Sequence, residues 1–260
     1  MYTVTQRIKS IKQPYGGYIK PKDMVRTQYN DGNTLNENES ITPQNIGVIV
    51  DYLTRLEVTG DPFEAFDIPL LGANYNHGGN KTTVDKLLKK AMSKDPAERV
   101  IAACGFIPFD TAYRLGFDPI YAKTPKPDKT TIQNIIVMVN RGTAYLKEKG
   151  IVKAGFYMTG GYTDTISCGD GDYLTNDAVV DFKVSHKHPT TNYTLQVLVY
   201  YLLGLRSIFK EFKSMKRLAL FNPRKNLEYS IDIKDIPQET ITAVCSDVIN
   251  CEKIVTANYL

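Results

Sequence analysis

Asp170, Asp172, Asp181 and Lys183, with Gln196 and Tyr200 further along, are residue types that can work on a phosphodiester. Carboxylate oxygens are the ligands Mg2+ prefers, and a lysine ammonium can polarise water or take up charge on a phosphate. The spacing brings them together. Asn176-Asp177 reads as a two-residue hairpin turn, because both residues tolerate the positive φ of primed turns. Tyr173 then faces Val180, Leu174 faces Val179, Asp172 faces Asp181 and Asp170 faces Lys183. Side chains alternate with period two, so all four polar groups point to one face. Directly opposed β-carbons stand about 4.5–5.5 Å apart, and two carboxylates that close call for a cation between them. Gln196 and Tyr200 fall at i and i+4, on one face of the following helix.

The run GDGDYLTNDAVVDFKVS followed by LQVLVYYLLG resembles the PD-(D/E)XK nuclease superfamily, in its RecB-like branch. That family sets an Asp before a D/E-x-K on the next strand and Q-x-x-x-Y on the helix after it. Here these are Asp172, Asp181-Phe182-Lys183 and Gln196/Tyr200. The resemblance implies Mg2+ or Mn2+ held by Asp172, Asp181 and the backbone carbonyl of Phe182. Lys183 would activate water or stabilise the transition state, and Gln196 and Tyr200 would contact nucleic acid and buttress the site. Gly171 stands where the family has Pro. The four-cysteine pattern of some relatives is missing, so no iron–sulfur cluster is expected. The family's upstream ligand has three candidates, His77, Glu57 and Glu64. Asp164 competes with Asp172, Asp170 is a further carboxylate, and His186 could touch phosphate or assist proton transfer.

The implied activity is that of a Mg2+-dependent deoxyribonuclease, endo- or exonucleolytic, with RNA open to the same chemistry. The rival is a catalytically silent nucleic-acid-binding or assembly protein that keeps the nuclease fold. The intact Asp/Asp/Lys set argues for the enzyme. A third reading is a different phosphoester enzyme on the same acid scaffold. No P-loop, GxGxxG, GxSxG or HExxH occurs, which sets aside NTPase, dinucleotide, serine-hydrolase and zincin chemistry. No helicase motor is present, so a helicase or defence-system partner would be a separate protein.

The expected fold is α+β (α/β): a restriction-endonuclease-like core with a central mixed sheet flanked by helices, and a mainly helical N-terminal half. Residues 1–128 form the arm and helical region and 129–260 the core, with Pro125-Lys126-Pro127 as linker. Residues 1 to about 40 read as an extended arm and loop. Thr42-Pro43 and Asp95-Pro96 start helices, the second running to about Cys104, with another over Phe109–Leu115. Thr131–Lys149 is a long helix ended by Gly150. Phe156–Ile166 alternates as a strand, which would also carry Asp164. The motif hairpin follows, then the Gln196/Tyr200 helix closed by Gly204. Strands over Arg217–Phe221 and Leu227–Ile233 and a final helix over Pro237–Ile249 complete the core.

Of 260 residues 42% are hydrophobic and 23% charged, ordinary for a globular protein, and the net charge of +4 permits an anionic partner. Lys187, Lys213, Lys216 and Arg217 are the expected nucleic-acid contacts, the last three within a basic run over 206–225. Cys104, Cys168, Cys245 and Cys251 show no C-x-x-C and read as reduced thiols. With no apolar leader and no long apolar run, a cytoplasmic protein without a membrane span is expected.

Overall fold

Thr3 and Gln6 close a reciprocal capping box. The Thr3 hydroxyl accepts the Gln6 N–H at 3.1 Å, and the Gln6 side chain accepts the Thr3 N–H at 2.9 Å. The box opens α1 (Val4–Ser10), directly after the short strand β1 (Tyr2–Thr3). An extended arm was expected here. The box and the buried i, i+4 pair Val4/Ile8 make a helix instead. Further on, β2 (Val25–Gln28) is an exposed edge strand. The computed structural model describes residues 1–74, 81–116, 118 and 122–251, and the chain gathers into two units. Met1–Tyr29 belongs with Glu148–Leu260, and Asn30–Lys147 forms the other, so the division does not follow the expected boundary at 128/129.

The Asn30–Lys147 unit is helical. It holds α2 (Pro43–Thr59), α3 (Pro62–Ala65), α4 (Asp67–Ala73), α5 (Lys81–Ala91), α6 (Pro96–Leu115) and most of α7 (Lys129–Lys149). Thr42 accepts the Asn45 N–H and Asp95 the Ala97 N–H, the two N-caps expected from sequence. Gly150 follows α7 at φ 70°, in keeping with its expected C′ role. α6 does not break after Cys104 but runs on through Pro108. A proline inside a helix costs about 3 kcal/mol. Burial of Ala103, Phe106, Ile107, Phe109 and Ala112 on either side offsets it. Phe66 stacks on Phe106 at 4.3 Å and lies 5.5 Å from Tyr52, whose hydroxyl donates to the buried Asp110 carboxylate at 2.5 Å. Burial pushes the Cys104 thiol up to about 12.

An ion pair ties the start of this unit to α7. Arg141 Nε and Nη2 donate to Asp31 Oδ2 and Oδ1 at 2.7 and 2.9 Å, and Nη2 also donates to the Asn33 carbonyl at 2.7 Å. The guanidinium holds the Asp31 carboxyl well below the usual carboxylate range. A depressed carboxyl pKa contributes stability that is present above the unfolded value, about 3.9, and lost as pH falls through the folded value. Arg141 is 7% exposed and Asp31 28%, between the surface and buried cases. Asp31→Asn should therefore destabilise the unit by about 2 kcal/mol at neutral pH. The deficit against wild type should shrink as pH falls below about 4. Urea unfolding across that range checks both.

The other unit is built on β3 (Ile151–Tyr157), β4 (Ile166–Cys168), β5 (Asp170–Thr175), β6 (Ala178–Phe182), α8 (Thr191–Arg206), β7 (Arg217–Asn222), β8 (Leu227–Asp232) and α9 (Gln238–Ala243). A six-stranded mixed sheet has the order β2-β8-β7-β6-β5-β3, with β6 and β7 its parallel pair. β1 and β4 form a separate parallel pair. The class is α+β, a central mixed sheet flanked by helices, as the sequence predicts. The strand expected over 156–166 does not form: β3 ends at Tyr157, β4 begins at Ile166, and turn and bend lie between them, with Asp164 in the bend before β4.

Parallel strands need a crossover, and α8 supplies it between β6 and β7. From Thr194 to Gly204 every α8 residue except Gln196 is buried, the pattern of a helix inside a core. Gly204 does not end it. A Cβ there would lie 2.1 Å from the Phe212 ring, so the bare glycine admits that ring and the helix continues to Arg206. Val179 of β6, Leu218 and Leu220 of β7, and Val4 and Ile8 of α1 share this core with α8. Among the described residues, no helix is long and apolar enough to cross a membrane.

Candidate active site

The hairpin register is the one that a two-residue connection at Asn176-Asp177 requires: Tyr173 pairs with Val180 and Leu174 with Val179. The turn itself is not primed, since neither Asn176 nor Asp177 has positive φ. The Thr175 hydroxyl closes it, accepting from Ala178 N at 3.2 Å. The expected direct pairs, Asp172 with Asp181 and Asp170 with Lys183, do not form, and pairing of β5 with β6 stops at Tyr173/Val180. Directly opposed carboxylates would repel. Instead the two acids take separate positive partners. Asp172 Oδ2 accepts the Phe182 N–H at 2.7 Å, and Asp181 Oδ2 stands 2.5 Å from Lys183 Nζ.

Asp181 is 2% exposed and pairs across β7 with Leu220, which places it on the α8 side of the sheet. The Lys183 N–H bonds the Phe221 carbonyl at 2.8 Å, extending that ladder one residue past β6. Lys183 Nζ also donates to Gln196 Oε1 at 2.9 Å and lies 5.0 Å from the Tyr193 ring centroid. Gln196 Nε2 donates to the Tyr200 hydroxyl at 2.9 Å and to Thr5 Oγ1 at 3.3 Å. A polar side chain on a buried helix must be satisfied, and Gln196 is satisfied at both ends. Asp181, Lys183, Gln196 and Tyr200 thus form one hydrogen-bonded and ion-paired chain.

The charges are consistent with that chain. Burial works against the Lys183 ammonium, but the carboxylates of Asp181 and then Asp172 outweigh it and raise the lysine above its ordinary range. Burial raises the Tyr200 phenol well above its own, and Asp181, Asp170 and Asp172 add to it. All three carboxylates therefore lie within electrostatic reach of that hydroxyl.

Gly171 answers the departure from Pro. It pairs with Phe156, and a Cβ on it would lie 2.0 Å from the Phe156 ring. That ring is 1% exposed and packs edge-on to Tyr200 at 6.0 Å and to Phe212 at 5.3 Å. Gly155, between the paired positions Ala154 and Phe156, takes φ 69°.

The other sequence candidates fall elsewhere. Asp164 lines a pocket with Met1, Tyr2, Arg7, Ser246 and Asn250. Glu57 pairs with Arg99, and Glu64 is exposed on α3, both in the Asn30–Lys147 unit. His77 lies outside the described residues. His186 and Lys187 are exposed on the loop after Lys183. Arg217 is held bidentately by Asp177 at 2.9 and 3.1 Å and reaches Glu228 at 3.4 Å. Lys213 and Lys216 are exposed, but Arg217 pairs with Ala178 while Leu220 pairs with Asp181. Lys216 therefore stands at the hairpin-turn end of β7, about 13 Å along the strand from the level of Asp181. The basic run over 206–225 spans β7, with Lys213 and Lys216 before the strand and Arg224 and Lys225 after it.

Thr5 and Tyr193 were not singled out from sequence. Tyr193 could have been, since it precedes Gln196 by three residues on α8 and shares its face. Thr5 lies within the Thr3/Gln6 capping box, whose pattern was readable.

Among the described residues, no group of three or more His, Cys, Asp or Glu side chains is placed to hold a metal. Asp172, Asp181 and the Phe182 carbonyl are nonetheless a hard oxygen set, and Mg2+ commonly takes one or two carboxylates and keeps several waters. The ammonium beside buried Asp181 marks a position that already calls for a cation. The donor set fits the ion. Comparison with protein-family models, with curated proteins and with solved structures finds no match to this chain.

Proposed function

We propose that this protein is a metal-dependent nuclease that hydrolyses phosphodiester bonds in DNA, on a restriction-endonuclease-like core. The observation that carries the reading is the chain from Asp181 through Lys183 and Gln196 to Tyr200, with Asp172 bound to the Phe182 N–H beside it. The antiparallel meander β3-β5-β6, the crossover α8 and the parallel strand β7 support the core assignment.

Asp172, Asp181 and the Phe182 carbonyl would hold Mg2+ or Mn2+. When bound, the ion supplies a water of lowered pKa and positive charge for the phosphate oxygens. Lys183 acts as a fixed cation and not as a base, because the neighbouring carboxylates keep it protonated. An ammonium has three donors. Asp181 and Gln196 take two, which leaves one N–H for a phosphate oxygen as charge develops on it. Gln196 fixes where that N–H points, because Tyr200 and Thr5 hold its amide.

Calorimetric titration of Mn2+ into wild type and Asp181→Ala tests the metal assignment. Wild type should bind and the variant should not. Equal binding by both removes Asp181 from the ligand set.

A further inference from the structure

A row of paired residues crosses the sheet on the same face as Asp181, buried at Leu220 and Tyr229 and exposed at Arg26. Asp181 pairs with Leu220, Leu220 with Tyr229, and Tyr229 with Arg26, one residue on each of β6, β7, β8 and β2. Paired residues share a face, so the row runs from the carboxylate to the exposed β2 edge. Adjacent strands are about 4.8 Å apart, which sets Arg26 about 14 Å from Asp181. Tyr229 is 4% exposed, and two groups are arranged on it. His188 Nδ1 lies 2.8 Å from its hydroxyl, with the imidazole edge-on to its ring, and the Arg26 guanidinium stands 5.6 Å from its centroid.

The loop that carries His188 leaves the site at Lys183 and is pinned twice. Asn222 Nδ2 donates to the Ser185 carbonyl at 2.7 Å, and His188 meets Tyr229. His186, Lys187 and His188 are exposed along it. Arg26 is exposed as well, and among the described residues no carboxylate pairs with it, whereas Arg141 and Arg217 are both held by acids.

We propose that the exposed groups over this row, from the His186–His188 loop to Arg26, are the path of a single DNA strand away from the scissile phosphate. Lys187 and Arg26 meet successive phosphates, and the His188 imidazole supports a base or sugar between them. This inference rests on the nuclease reading and deepens it. At B-form rise, 14 Å corresponds to roughly four nucleotides from the cut. The contacts are two cations and one ring on a fixed platform, the combination that binds single strands with little sequence preference.

Fluorescence anisotropy with a short labelled single-stranded DNA in Ca2+, at several salt concentrations, tests it. Cleavage by wild type in Mg2+ is measured in parallel. Arg26→Ala and His188→Ala should each weaken binding about tenfold. Arg26→Ala should also flatten the salt dependence by about 0.7 in slope, and Arg26→Lys should restore the slope. Both positions are exposed, and thermal unfolding confirms that the variants remain folded. If wild type binds and cleaves while Arg26→Ala and His188→Ala bind as wild type, the path is wrong and the nuclease reading stands. The path is equally wrong if Lys213→Ala/Lys216→Ala flattens the slope and Arg26→Ala does not. If wild type neither binds nor cleaves, both proposals fall.

Discussion

Lys183→Ala should lose about 10²–10³ of the cleavage rate while keeping the fold and the metal. The ammonium is fixed on two sides by Asp181 and Gln196, and the carboxylates of buried Asp181 and half-buried Asp172 keep it charged across the working pH range. A preorganised donor of this kind acts where charge develops in the transition state, so its removal appears in kcat more than in KM. The variant leaves the 2%-exposed Asp181 without its ammonium, which lowers stability in the metal-free state. Added Mn2+ should recover more stability in Lys183→Ala than in wild type. Gln196→Ala, which frees the lysine to move, should impair turnover in the same sense but less. Single-turnover cleavage and thermal unfolding with and without Mn2+ separate these effects. Wild-type rates in Lys183→Ala give the lysine another role.

Gly171→Ala should be the most damaging single-methyl change near the site. The added carbon would sit 2.0 Å from the end of the Phe156 ring and 2.3 Å from a second ring atom. Phe156 is wedged against Tyr200 and Phe212 and cannot swing away freely. Overpacking of this kind costs typically 1–3 kcal/mol, and the rigidity of the neighbours argues for the upper end, about 3 kcal/mol. A shifted Phe156 pushes on Tyr200, whose hydroxyl anchors Gln196, so activity should fall along with stability. Relief by Phe156→Leu in the double variant would identify the ring as the obstacle. Chemical denaturation of the two single variants and the pair supplies the cycle.

The hairpin register was legible because a two-residue connection at Asn176-Asp177 fixes which residues face each other, and Tyr173/Val180 and Leu174/Val179 pair as that spacing requires. The pairing beyond it was not. Period-two reasoning carries a strand pair forward indefinitely and takes no account of two carboxylates arriving opposite each other. Here the strands part, and a backbone N–H and an ammonium settle the acids. The turn type was misread for a related reason: tolerance of positive φ at Asn176-Asp177 is permission, and the Thr175 hydroxyl supplies another closure. Thr5 meets Gln196 across 191 residues, a contact that no local pattern encodes. Charge composition marked the run over 206–225 as basic but could not tell that β7 divides it, with Arg224 and Lys225 beyond Asn222. Strand register places Lys216 at the end away from Asp181.

The most direct measurement is cleavage of labelled single- and double-stranded DNA in Mg2+ by wild type and by Asp181→Asn, prepared side by side. Wild type should cut at least one substrate, stop when the metal is chelated, and resume when it is restored. Asp181→Asn should be folded and inactive. No cleavage of either substrate by folded, metal-loaded wild type would contradict the account, as would equal cleavage by Asp181→Asn.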